Sequence, residues 1–203
     1  MILVVCAVAQ ELRHWKPRAH VETLVTGVGP VEAAAATSRM LAISTPRFVI
    51  NAGIAGGFSG RTKVGDAFAI ETDHLAELGL EDGSRMPPLP GGALVVTKAE
   101  SDPGLIERCR SFGGRIGSAI TVATITGSTE RARDLADRFE AEIEAMEGFA
   151  VLRSAAIAGV PAIELRGVSN VVGPRASGGW DFDAGARAMT ALLDRFLDTV
   201  DAQ

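Results

Sequence analysis

Two acidic residues stand where a solvated charge has little reason to be. Glu147 follows Met146 at the junction of a predicted short strand and an apolar run through Leu152, Ala155 and Ile157, with no Lys or Arg three or four residues to either side. Glu11 follows the apolar opening MILVVCAVA almost directly. A carboxylate near a helix N-terminus is favoured by the helix dipole, and each residue alone reads equally well that way. A buried carboxylate also needs hydrogen-bond donors, and the hydroxyls of a sugar diol would supply two. Two further stretches offer polar groups at predicted strand ends. "NAGIAGG", Asn51 to Gly57, has three glycines within five residues, which lets backbone N–H groups approach a ligand or simply makes a tight turn. "RGVSN", Arg166 to Asn170, ends in Ser169 and Asn170, which donate and accept but do not titrate near neutrality.

These residues need a frame that gathers strand ends. Apolar runs of strand length alternate with helical stretches: strands are predicted at Ile2 to Val8, Val21 to Thr26, Arg47 to Asn51, Ala67 to Ile70, Ala93 to Thr97, Glu142 to Met146 and Ala162 to Val168, and Ile116 to Ile125 is β-rich. Helices are expected from Pro30 to Ile43, from Asp102-Pro103 to Phe112, from Ser128 to Phe139, from Glu147 to Ala158 and from Phe182 to Val200, with a short start at Gln10 to Trp15. The pattern predicts an α/β fold, a three-layer α/β/α sandwich with a mixed, mostly parallel twisted central sheet. In such sheets ligands bind beyond the carboxyl ends of the strands, where the four polar stretches fall.

The 203 residues, 47% hydrophobic and 22% charged, fit one domain spanning 1–203. A net charge of −5 argues against a nucleic-acid surface. The opening apolar run lacks a basic leader region and is too short to cross a membrane, so a cytoplasmic protein is expected. Cys6 and Cys109 are far apart, without metal-ligand spacing, and read as buried thiols; no metal or cofactor is called for.

Taken together, "AVAQEL", "TGVGPVEA", "INAGIAGG", "AMEGFAV" and "VPAIELRGVSN" resemble the nucleoside phosphorylase and nucleosidase family along nearly the whole chain. The C-terminal "RGVSNVVGPRASGGWDFDAGARA" looks most like the branch that hydrolyses futalosine, in an alternative menaquinone pathway. The resemblance implies that Glu11 activates the attacking water, that Met146 and Glu147 hold the ribose, and that Ser169 and Asn170 meet the base. It further implies a small-molecule purine nucleoside as substrate, and a homodimer or higher homo-oligomer. Three departures from the methylthioadenosine nucleosidases matter. Asn170 stands where they have an Asp that protonates the leaving adenine; an amide is no proton donor, but it matches the edge of a 6-oxopurine such as hypoxanthine. Ile54 replaces a Ser, which leaves backbone N–H groups and Gly53 at that place. Ile125 and Thr126 stand where relatives stack an aromatic on the base, so stacking would fall to Phe149 or another loop. For a substrate carboxylate, Arg61, Arg175 and Lys98 are loop candidates, and Trp180 and Phe182 would either cover the substrate tail or pack the last helix.

Three other readings compete. A purine nucleoside phosphorylase would need a phosphate site, and Glu11 would repel that anion. A methylthioadenosine or S-adenosylhomocysteine nucleosidase is disfavoured by Asn170. A non-catalytic dinucleotide-binding module would need the third glycine that Glu32 replaces in "GVGPVE", and an acidic tip after the next strand.

Overall fold

In the computed structural model, which describes residues 1–80, 84, 86–87, 95–174 and 179–201, the opening apolar run forms β1 (Ile2–Cys6), buried at every position. Its side chains alternate between two cores, as a strand inside a sandwich requires. Ile2 and Val4 face a cluster with Trp15, Phe48, Ile106 and the apolar stripe Met189, Leu193, Phe196 and Val200. Leu3 and Val5 face a second cluster with Ala33, Val151, Leu152 and Ala155. The helices behind these clusters are α2 (Pro103–Ser111) and α5 (Phe182–Asp201) on one side, and α1 (Pro30–Ile43) and α4 (Gly148–Ala158) on the other. The caps follow the sequence: the Asp102 carboxylate accepts from the N–H groups of Gly104 and Leu105 at the start of α2, and Gly159 at φ +69° ends α4.

The remaining elements are β2 (Val21–Val25), β3 (Val49–Gly57), β4 (Ala67–Leu75), β5 (Lys98–Glu100), β6 (Ile116–Thr121), α3 (Thr129–Phe139), β7 (Ile143–Ala145) and β8 (Ala162–Val171). The sheet is mixed: β1 pairs β2 and β3 in parallel, as do β3 with β8, β4 with β6, and β6 with β7, whereas β3–β7, β4–β5 and β4–β8 are antiparallel. These pairings close a ring, β3–β7–β6–β4–β8 and back to β3, which β1 and then β2 extend from β3.

Two expectations need correction. The glycine-rich "AGIAGG" is not a turn after a strand: β3 runs through it to Gly57, paired with β8 as far as Val171. Side chains crowd over its glycines; a Cβ on Gly53 would stand 2.6 Å from Glu11 Oε1, so close packing explains these residues. The strand predicted at Ala93 to Thr97 is also displaced. Residues 93–94 lie outside the described residues, 95–97 are not in a strand, and β5 follows at Lys98–Glu100. Cys6 and Cys109 are free and buried, and burial pushes their thiols up to about 12 and about 11.

Candidate active site

Beyond the carboxyl end of β1 and against the second half of β3 lies a cavity of about 170 Å³. Glu11, Met146, Glu147, Ser169 and Asn170, drawn from distant parts of the chain, all line it, with Ile54, Ile125, Trp180 and Phe182. Phe149 does not line it; its buried ring belongs to the core beneath α1 and α4. Gly53 lies behind the wall, giving room to the side chains of Glu11 and Arg166.

Glu11 sits in a 3₁₀ turn, Ala9–Leu12, directly after β1 and is only 3% exposed. Its Oε2 accepts from the N–H groups of Ala7 (2.9 Å) and Val8 (3.1 Å), and its Oε1 from that of Ile54 (2.9 Å). Where the sequence offers no hydroxyl at position 54, the backbone itself is the donor. Burial raises the Glu11 pKa, Arg166 and the N–H groups of Ile54 and Val8 pull it down, and the charge of Glu147 adds to the rise.

Glu147 is the residue before the first turn of α4 and is likewise buried. Its Oε1 accepts from the N–H of Gly29 at 2.9 Å, and its Oε2 lies 3.8 Å from Arg166 Nη1. Gly29 has φ +98°, a conformation that favours glycine, and it caps α1 just before Pro30. The "TGVGPVEA" stretch thus presents a backbone donor to the carboxylate.

Arg166 was passed over by sequence reasoning. It is 1% exposed, on β8, and its Nε donates to Glu164 Oε1 at 2.8 Å. Burial opposes its charge, but Glu164, Glu147 and Glu11 outweigh burial and raise its pKa. Its Nη2 is buried without a protein acceptor. Behind Glu164 lies Asp73, on β4, also wholly buried. Asp73 Oδ2 accepts from the Thr121 hydroxyl at 2.9 Å, and Thr121 Oγ1 accepts in turn from the Phe149 N–H at 2.9 Å. Asp73 Oδ1 and Glu164 Oε2 are both buried without a hydrogen-bond partner. Burial, then the Glu164 charge, pushes the Asp73 carboxyl well up. Gly148 packs on both: a Cβ there would overlap Asp73 Oδ2 and Glu164 Oε1.

At the opposite end of the cavity, Ser169 Oγ donates to Asn170 Oδ1 at 2.9 Å and Asn170 Nδ2 donates to the Val171 carbonyl at 3.2 Å. The amide is thereby oriented with one N–H left over. Glu144, a second residue the sequence did not single out, lines the cavity nearby. None of the described lining residues is Lys or Arg. Arg61 bonds the Ala141 carbonyl and Asp137, Lys98 pairs with Glu100 on β5, and Arg175 lies outside the described residues.

Residues 18–200 match the phosphorylase superfamily. The chain is 34% identical to the futalosine hydrolase of Streptomyces coelicolor over 89% of its length and 80% of the relative's. It is 38% identical to that of Acidothermus cellulolyticus over 83% of its length and 71% of the relative's. In fold it is similar to the futalosine hydrolase of Helicobacter pylori, with a TM-score of 0.81 at 19% identity over 97% of both chains. A cavity framed by two buried carboxylates thus sits in a chain that belongs to the phosphorylase superfamily and, within it, to the futalosine hydrolase family.

Proposed function

We propose that this protein hydrolyses the N-ribosidic bond of futalosine, releasing hypoxanthine and dehypoxanthine futalosine, with Glu11 as the base on water and Glu147 on the ribose diol. The observation that carries these roles is that Glu11 and Glu147 line one cavity while the Arg166 guanidinium stands within 3.8 Å of Glu147 and crowds with Glu11 over Gly53.

Cleavage of a purine riboside passes through a state with positive charge on the sugar. Water oxygen bonds to C1′ as the C1′–N9 bond breaks, the bonding pair leaves with the purine, and the water proton goes to Glu11. Buried anions beside the ribose stabilise the cation more in the transition state than in the ground state. Glu11 suits a base: burial raises its proton affinity, while Arg166 and its N–H donors oppose that rise. Arg166 does not line the cavity and acts on it through its charge beside Glu147 and Glu11. Glu147 keeps an oxygen toward Gly29 and accepts from the 2′ and 3′ hydroxyls. Met146 packs against the sugar. The spare N–H of Asn170 meets the purine O6 or N7 as electron density moves onto the base. Ile125 covers the base and Trp180 and Phe182 the tail in this reading, which their place in the cavity wall supports. Ser169 orients the amide.

The enzyme acts as a single nucleosidase domain over 1–203, in the cytoplasm, as a homodimer or higher homo-oligomer in the menaquinone pathway. Among the described residues no helix is long and apolar enough to cross a membrane. The deciding experiment is base release from futalosine, inosine, methylthioadenosine and S-adenosylhomocysteine, each with and without phosphate. Futalosine should be preferred and phosphate should have no effect. Equal cleavage of methylthioadenosine, or a requirement for phosphate, would overturn the reading.

A further inference from the structure

One buried carboxylate of the cavity has no task in that chemistry. Glu144, on β7, is 6% exposed, and its Oε1 accepts from the Thr126 N–H at 3.0 Å while its Oε2 accepts from the Thr126 hydroxyl. The strand register places it. Gly56 on β3 is the partner of Glu144 on one side and of Asn170 on the other. Neighbouring strands lie about 4.8 Å apart, so the carboxylate and the amide flank a slot roughly 10 Å wide between their backbones. The slot has a glycine for its floor. A Cβ on Gly56 would come within 3.2 Å of Asn170 Nδ2 and 2.8 Å of Val172 Cγ2, so the space needs a residue without a side chain. Both polar groups line the cavity.

We propose that Glu144 and Asn170 form a two-sided clamp on the base, Glu144 accepting the N1–H of a 6-oxopurine while Asn170 donates to O6 or N7. The proposal rests on the nucleosidase reading above and names what selects its base. A 6-oxopurine presents a donor at N1 beside an acceptor at O6. A 6-aminopurine presents the reverse, and its N1 lone pair would face an oxygen of like polarity. Each Glu144 oxygen uses one acceptor position on Thr126 and retains another. Burial pushes the carboxyl up and Glu77 adds to that, but the Thr126 donors and the positive charge of Arg131 oppose it. Arg131 Nε donates to Thr126 Oγ1 at 3.3 Å and its Nη2 to Glu77 at 2.7 Å, so the cation stands directly behind the threonine. Asn170 alone is ambiguous, because an amide can turn. A carboxylate cannot, and it supplies the sign that the amide lacks. A site that leaves a buried polar group unpaired rejects the wrong ligand strongly. A hydrogen bond to a charged group corresponds to about 10- to 100-fold in rate or affinity.

The test uses inosine, adenosine and 1-methylinosine, in which a methyl group replaces N1–H. The wild-type chain should hydrolyse inosine at least about 10-fold better in kcat/KM than 1-methylinosine. In Glu144→Gln the inosine-to-adenosine ratio of kcat/KM should fall by about 10- to 100-fold, since a glutamine amide also donates to N1 of adenine. Equal turnover of inosine and 1-methylinosine by the wild type, or an unchanged ratio in a folded Glu144→Gln, would sink the clamp while leaving the hydrolase reading intact. If the variant does not fold, competition of hypoxanthine and 1-methylhypoxanthine for the wild type decides, with hypoxanthine expected to bind more tightly. A chain inactive on futalosine and every other nucleoside would instead remove the hydrolase reading, and the same binding comparison would still judge the clamp.

Discussion

Arg166 Nη1 stands 3.8 Å from Glu147 Oε2, with both side chains almost wholly buried. On its other side the same guanidinium is anchored by Glu164 at 2.8 Å, and it crowds with Glu11 over Gly53. One cation therefore serves three carboxylates, and the interior of the site carries an excess of negative charge suited to a cationic sugar. Removing such a charge from a buried network leaves its partners uncompensated, so the consequences below differ between isosteric and truncating changes.

Glu11→Gln should bind substrate with little change in KM and lose turnover by about 10²- to 10⁴-fold. The glutamine oxygen retains the acceptor for Ile54, its NH2 gives up those for Ala7 and Val8, and it cannot take a proton from water. Because burial raises the Glu11 pKa, the acid limb of kcat/KM in the wild type should fall above the ordinary glutamate value of 4.5. Steady-state kinetics across pH check both. Near-normal kcat in the variant would remove Glu11 from its role.

Glu147 meets the ribose hydroxyls, so the wild type should discriminate against 2′-deoxyinosine relative to inosine. In Glu147→Gln that preference should shrink by about 10-fold or more, the scale of one hydrogen bond to a charged group. A preference unchanged by the substitution would mean that the diol is held elsewhere.

The Asp73–Glu164 pair gives a stability prediction with a definite sign. In the folded chain the Asp73 carboxyl is pushed well above its ordinary value of 3.8. Its contribution to stability is therefore complete below that value and declines as pH rises toward the higher folded-state pKa. Asp73→Asn mimics the protonated acid: it still accepts from Thr121 and carries no charge beside Glu164. The variant should fold, and its stability should fall less steeply with pH across that window. Asp73→Ala should instead cost about 1–3 kcal/mol by stranding the Thr121 hydroxyl. Urea denaturation between pH 4 and 8 measures the slopes, and an identical slope in Asp73→Asn would count against a raised Asp73 pKa.

The sequence revealed the parts of the site that lack a local excuse. Glu147 has no ion-pair partner along its helix, Glu11 abuts a buried strand, and Asn170 ends an apolar one. It concealed Glu164 and Arg166, because opposite charges two residues apart in "AIELRGVSN" look like a salt bridge on a solvent-facing strand. That face turns instead toward the start of α4, where Gly148 makes room. Asp73 and Glu144 were hidden for a similar reason: their neighbours come from other strands, and register is not written locally. The glycines of β3 misled in the other direction. Their low strand preference signalled a turn, whereas side chains arriving from Glu11, Arg166, Asn170 and Val172 fill the space they leave. The helices, whose periodicity and caps are local, match the described elements closely.

The closed ring of β3, β7, β6, β4 and β8 has a bearing on how the protein can breathe. Every strand in it is hydrogen-bonded on both flanks, so it offers no frayed margin from which melting could start. Glu144, Arg166 and Asn170 ride on those strands. Their alignment is lost only when the ladders themselves part, which ties it to cooperative unfolding of the domain rather than to a local opening. A ligand seated among them would then protect the whole chain against denaturation, by an amount that grows with the logarithm of its concentration over its Kd.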